Sequence, residues 1–274
     1  NLMLTQESKP NVNYPQKNSL QQFSWREYFI LVLAGLLGVI AALPYTWNII
    51  EKTATTTNIP VQLLVGGQLL QSAIWMFLTV GVGLLLSQKT GLGAPVLRGY
   101  LAGEQVSGKL RSHILPSVLL AVLATAVVIP LDRWFFLPRI PGFSSAITQV
   151  SGWQGILASF YGGITEEILS RLFFLTLLAW ILSWFSHTED KKPSRLAMWI
   201  AIVGSAIIFG LGHLPATLAT TPFSITVLAR AVLLNGIYGT LFGYIYWKRG
   251  LESSMVSHFT SDLLVHVLLP FLSI

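Results

Sequence analysis

Apolar and polar positions alternate along this chain on a long period. Apolar stretches at about 25–47, 61–87, 112–130, 153–185, 196–216, 225–247 and 251–271 are separated by short breaks. A hydrocarbon core about 30 Å thick needs about 20 apolar residues per helix, so these stretches predict seven transmembrane helices. The breaks carry the expected punctuation, such as NIP at 58–60, TGLGAP at 90–95 and LPRIPGFSS at 137–145. No internal repeat or low-complexity segment interrupts the pattern. The predicted fold class is all-α, a polytopic transmembrane helical bundle of about seven spans.

Composition agrees with the pattern. Of 274 residues, 53% are hydrophobic and 10% charged, against roughly 25% charged in a soluble domain. The chain reads as an integral, multi-pass membrane protein whose first partner is the lipid bilayer. With no cysteine, disulfides and thiolate metal sites are excluded. Residues 1–24 are polar and lack the basic start, short apolar core and small-residue cleavage site of a signal peptide, so a disordered tail is expected there. The net charge of +6 is explained by topology, and no nucleic-acid partner is called for. Lys9, Lys17, Arg26, Lys89, Arg98, Lys109, Arg111, Lys191, Lys192, Arg195, Lys248 and Arg249 fall on one side of the seven spans, against Lys52, Arg133 and Arg139 on the other. Cytoplasmic loops carry the basic excess, so the N-terminus is expected in the cytoplasm.

Three charges resist this scheme. Glu166, Glu167 and Arg171 lie in GGITEEILSRLFF, inside the fourth apolar stretch. An ionisable group at the centre of a bilayer helix costs about 2.5–3.5 kcal/mol even on lenient scales, so such groups are buried and tied to function. Glu167 and Arg171 are four residues apart and can pair on one helix face. Glu166 points about 100° away and has no local cation. Two further helices carry polar groups at the same spacing: Phe209 and His213 in FGLGH, and His258 and Asp262 in HFTSD. One alternative is a buried structural ion-pair network; the other is a polar centre where these faces converge.

Such a centre suits hydrolysis. A carboxylate in a dry site can serve as general base towards water, and a histidine can share the proton or orient that water. A second imidazole N–H and a nearby polar side chain can stabilise the oxyanion. Alternatively, Glu166, His213 and His258 can ligate zinc, a set of two histidines and a glutamate known from zinc hydrolases. A proton-coupled transporter is a further reading, though the paired, broken-helix repeats it calls for are missing. So is an inactive immunity or scaffolding protein. Among other intramembrane proteases, the HExxH, GxGD and GxSG signatures are absent.

Taken in order, Glu166-Glu167-Ile168-Leu169-Ser170-Arg171, Phe209-Gly210-Leu211-Gly212-His213 and His258-Phe259-Thr260-Ser261-Asp262 resemble the EExxxR, FxxxH and HxxxN/D motifs of the CPBP intramembrane proteases. This group is also called the Abi or CAAX-processing family. The resemblance covers roughly residues 150–270. It divides the chain into the tail 1–24, N-terminal transmembrane helices over 25–147 and a catalytic transmembrane core over 148–274. It implies an endopeptidase acting on membrane-associated or lipidated protein substrates, with CAAX-type processing as the eukaryotic use. The implied roles are Glu166 as catalytic glutamate, His213 as its partner on the water, and His258 with Asp262 as oxyanion-stabilising pair. Glu167, Arg171 and Phe209 take supporting roles, and a metal-free site is implied over a zinc one. Two departures stand out: Leu172 follows the arginine where glycine is frequent, and Asp262 stands where asparagine is frequent.

The expected roles of the other polar residues are bland. His113 and His187 are expected in loops, His266 at an interfacial helix end, and Gly236, Gly239 and Gly243 in close helix contact. Depth poses one difficulty. From Glu166 to His187 a helix would run roughly 30 Å at 1.5 Å per residue, whereas His258 follows the basic pair Lys248-Arg249 closely. The fourth span must protrude or tilt if the two sites are to meet.

Overall fold

The computed structural model describes residues 23–140 and 151–269. The expected tail 1–24 therefore lies outside the described residues except for Phe23 and Ser24. Among the described residues every regular element is helical: α1 (Trp25–Thr57), α2 (Val61–Thr90), α3 (Pro95–Leu101), α4 (Ser107–Leu131), α5 (Gly152–Phe160), α6 (Thr176–Ser183), α7 (Arg195–Gly212), α8 (Leu214–Leu218), α9 (Ile225–Arg249) and α10 (Leu251–Leu263).

Helix ends follow local chemistry. Ser194 and Ser224 each accept a backbone N–H of the first turn, from Ala197 and Val227, and so start α7 and α9. Asn58 and Gly91 take left-handed conformations that end α1 and α2. α9 passes into α10 through Gly250 at φ 92°. A side chain there would also collide with Pro95, so glycine serves both the turn and the approach of α3.

Five helical segments are long and apolar enough to cross a membrane: Trp25–Thr57, Val61–Thr90, Ser107–Arg139, Arg195–Leu218 and Ile225–Arg249. The other two expected spans are helical but different in kind. α5 and α6 are joined without a break by wide, π-helical turns at Tyr161–Glu166 and Ile168–Leu175, and α10 continues as a π-helical turn over Leu264–Leu268. These two segments carry Glu166, Glu167, Arg171, His258 and Asp262, whereas Arg230 of α9 pairs with Asp132 just past the end of α4 at 2.6 Å. π-helical turns inside helices concentrate at functional sites, and here the first ends on Glu166 and the two flank Glu167.

A core of Leu31, Val80, Ile168, Leu172, Leu175, Ile202 and Tyr246 ties α1, α2, α7 and α9 around the 152–183 helix. Large apolar side chains such as Leu33, Leu70, Leu123 and Ile200 point outward, as lipid-facing residues do. α10 packs against α4, α5, α9 and the 161–166 turn, which brings the last motif beside the first. The depth difficulty is met by length. Thr176 Oγ1 lies 2.9 Å from Tyr246 Oη, level with the last turn of α9, and the helix carries on beyond it to Ser183.

Two expectations need correction. His113 is not in a loop but within α4, its Nδ1 3.1 Å from Ser253 Oγ. His266 lies in the last described helical turn, half-buried, with its Nδ1 3.4 Å from the hydroxyl of Tyr45 on α1. Gly239 and Gly243 do meet neighbouring helices, at Ala206 and at Leu175 and Ile202, but Gly236 has open space beside it.

Candidate active site

The 161–166 turn can approach α10 because residues 162 and 163 are glycines. A Cβ on Gly162 would strike the Asp262 carboxylate, and one on Gly163 would lie 2.8 Å from Cβ of Phe259. Thr165 fixes the other side of the turn by donating to the Gly35 carbonyl of α1 at 2.8 Å. Glu166 and Glu167 follow at once, held between two clamped surfaces.

The two glutamates have separate environments. Glu167 is completely buried. It faces Arg171 Nε at 3.4 Å on its own helix, His258 Nδ1 at 2.8 Å and the hydroxyl of Ser254, which donates to its Oε2. Arg171 is buried too and donates through Nη2 to the Gly239 carbonyl at 3.2 Å. Its guanidinium also lies over the rings of Phe209 at 4.9 Å and Phe242 at 5.4 Å, a cation–π arrangement that substitutes in part for water. Nε and Nη1 of Arg171 have no hydrogen-bond partner among the described residues, so the buried charge is held by the ion pair with Glu167, the single bond to Gly239 and the two aromatic faces.

Glu166 keeps 21% of its side chain exposed, which leaves it reachable by water and substrate. Its Oε2 lies 3.7 Å from His258 Nε2 and 4.0 Å from His213 Nε2. His213 caps the end of α7, where Pro215 soon prevents the helix from continuing. Its Nδ1–H donates to the Phe209 carbonyl at 2.8 Å, which leaves the Nε2 lone pair of the neutral ring aimed at Glu166. Asp262 Oδ1 is 3.6 Å from His258 Nε2. The Phe242 ring stacks on the His258 imidazole at 4.6 Å, while Phe209 meets His213 edge-on at 4.6 Å.

All seven residues singled out from the sequence therefore meet in one place. The pairing of Glu167 with Arg171 is as expected, but Glu167 is also the acceptor that orients His258, so His258 touches both glutamates. Two participants were missed. Ser254 stands one turn before His258 on α10 and Phe242 lies on α9, in a segment read only for its glycines. The spacing of Ser254 to His258, four residues, was the available signal.

The zinc alternative can be tested on this donor set. Zinc at about 2.0–2.1 Å from each of its ligands would hold tetrahedral donor atoms about 3.3 Å apart. The separations of 3.7 Å and 4.0 Å around Glu166 are wider. Among the described residues no group of three or more histidine, aspartate and glutamate side chains is arranged to hold a metal ion. As arranged, these donors stand wider apart than zinc would hold them, and no step below is routed through a metal.

Comparison with known proteins agrees with the motif reading. Residues 148–264 match the family described as Type II CAAX prenyl endopeptidase Rce1-like. No curated protein and no solved structure matches the chain. The matched segment contains all the residues that converge around Glu166, and five helical segments among the described residues, two of them inside the match, are long and apolar enough to cross a bilayer. Residues 148–264 of this integral membrane protein therefore match the type II CAAX prenyl endopeptidase Rce1-like family over the segment that holds the converging side chains.

Proposed function

We propose that the domain hydrolyses peptide bonds of lipid-modified or otherwise membrane-associated proteins, using a water activated by Glu166 and His213. Prenylated C-a-a-X termini are the first substrate class to try. The observation that carries the reading is the pair of acceptors, Glu166 Oε2 and His213 Nε2, 4.0 Å apart. Two acceptors cannot bond one another without a proton between them. A water has two protons, and with O–H···acceptor distances of about 2.8 Å it spans such a gap.

In the reaction, Glu166 takes a proton from that water as its oxygen bonds to the scissile carbonyl carbon. Charge gathers on the former carbonyl oxygen. His258 donates its Nδ1–H to Glu167, so when its Nε2 also carries a proton that second N–H is free to meet the oxyanion. Asp262 contributes a donor there only as the neutral acid. The tetrahedral intermediate then collapses, the C–N bond breaks, and Glu166 returns its proton to the departing amine. The cytoplasmic excess of lysine and arginine supports an N-terminus in the cytoplasm.

Single-turnover cleavage of a farnesylated C-a-a-X peptide in ¹⁸O-water tests the step. The new product carboxylate should acquire ¹⁸O on the first turnover, Glu166 should stay unlabelled, and chelators should leave the rate unchanged. Label in Glu166 would mean covalent attack by the glutamate. Activity lost to a chelator and restored by zinc would replace this reading with the metal version.

A further inference from the structure

Beyond the site, the end of the 152–183 helix builds a second polar cavity. It has a volume of about 550 Å³ and is lined by Trp180 and Trp184 from the helix end, Lys89 from α2, and His187, Lys191 and Lys192 from the following loop. The loop is ordered by its own bonds. Thr188 N–H donates to the Lys192 carbonyl at 2.9 Å, Ser194 N–H to the Ser186 carbonyl at 3.1 Å, and the hydroxyls of Ser186 and Ser194 pair at 2.7 Å. Lys191 sits at φ 59°, a left-handed position that turns the strap back over α2.

The lysines have little to neutralise them. Lys89 Nζ lies 5.8 Å above the Trp180 ring and Lys191 Nζ 3.5 Å from His187 Nε2. The Lys192 stem crosses beside Gly91, at the C-terminus of α2. None of the three forms an ion pair among the described residues, and Asp190 is the single carboxylate in the lining. Three cations against one anion leave a net positive seat.

What would fill it is indicated by its surroundings. Trp184 is 61% exposed and Phe185 beside it 82%, at the point where the apolar helix ends. Tryptophan with lysine at a helix end marks the headgroup level of a bilayer, and basic pockets there bind anionic headgroups. We infer that this cavity is a binding site for the phosphodiester headgroup of an anionic glycerophospholipid, with Lys89, Lys191 and Lys192 meeting the phosphate and Trp180 and Trp184 flanking the glycerol and upper acyl chain. From Glu166 to Trp180 the helix runs roughly 20 Å at 1.5 Å per residue, so this site is separate from the hydrolytic centre.

The test uses the full chain in nanodiscs of phosphatidylcholine with increasing phosphatidylglycerol, followed by native mass spectrometry of the extracted protein. Wild type should retain one saturable phosphatidylglycerol. The K89Q/K191Q/K192Q variant should lose it by about tenfold or more in apparent affinity, given that each surface lysine contributes measurably to anionic-lipid binding. A variant with the same charge change elsewhere, K109Q/R111Q/R195Q, should keep it. Single K191Q and K192Q substitutions, both on exposed side chains, give the same reading should the triple variant fold poorly. Equal loss in both triple variants would indicate diffuse surface charge and overturn the proposal. So would absence of any retained lipid, or displacement by inorganic phosphate at equal concentration, which would mark a plain anion seat.

Discussion

Removing the Ser254 hydroxyl is the sharpest test of how the site is held. Ser254 is fully buried, and its hydroxyl donates to Glu167 Oε2 while His258 Nδ1–H donates to Oε1 at 2.8 Å. In Ser254→Ala the carboxylate keeps Arg171 and His258 but loses one donor. A hydrogen bond to a charged group contributes about 1.5–3 kcal/mol. If that interaction serves to fix the carboxylate that aims His258, part of the loss falls on the transition state. At about 1.4 kcal/mol per factor of ten, kcat should fall about tenfold to a hundredfold, with KM nearly unchanged because Ser254 touches no substrate. The assay is cleavage of a farnesylated C-a-a-X peptide in nanodiscs, combined with thermal unfolding and a double-mutant cycle against Glu167→Gln. Coupling of about 0.5–3 kcal/mol is expected for residues in one network. An unchanged kcat, or strictly additive effects of the two substitutions, would refute the argument that Ser254 acts through Glu167 on His258.

Two further substitutions separate stability from chemistry. Arg171→Met leaves Glu167 buried without its cation, which should destabilise the fold by about 3–5 kcal/mol; adding Glu167→Gln should recover part of the loss in thermal unfolding, and no recovery would show that Arg171 acts by packing alone. Asp262→Asn keeps the shape of the side chain 3.6 Å from His258 Nε2 and supplies an amide donor, so cleavage should be retained or raised, whereas Asp262→Leu should lose it; equal loss in both would show that the carboxylate charge itself is required.

Much of this site was legible in the sequence because its parts are local. Glu167 and Arg171, Phe209 and His213, and His258 and Asp262 are each four residues apart, a spacing that a helix converts directly into a shared face. The bundle was legible for a similar reason, since long apolar stretches have few alternatives in a bilayer. What the sequence concealed depends on contacts between distant segments. That Glu167 orients His258, 91 residues away, cannot be read from either motif alone. The contact of His266 with Tyr45, and the placing of Gly162 against Asp262, arise only once the 264–268 turn reaches α1 and α10 is seated beside the 161–166 turn. His113 was misplaced because α4 begins in a polar stretch, SGKLRSH, whose composition reads as a loop and whose backbone continues the span. The π-helical turns at Tyr161–Glu166 and Ile168–Leu175 leave no compositional trace at all.

The central claim is that Glu166, and not its neighbour, is the base. General-base catalysis contributes about 10²–10⁴-fold, so Glu166→Gln should lower single-turnover cleavage by at least that range while the thermal unfolding of the protein stays near wild type. Cleavage by a folded Glu166→Gln protein within a few-fold of the wild-type rate would contradict the account.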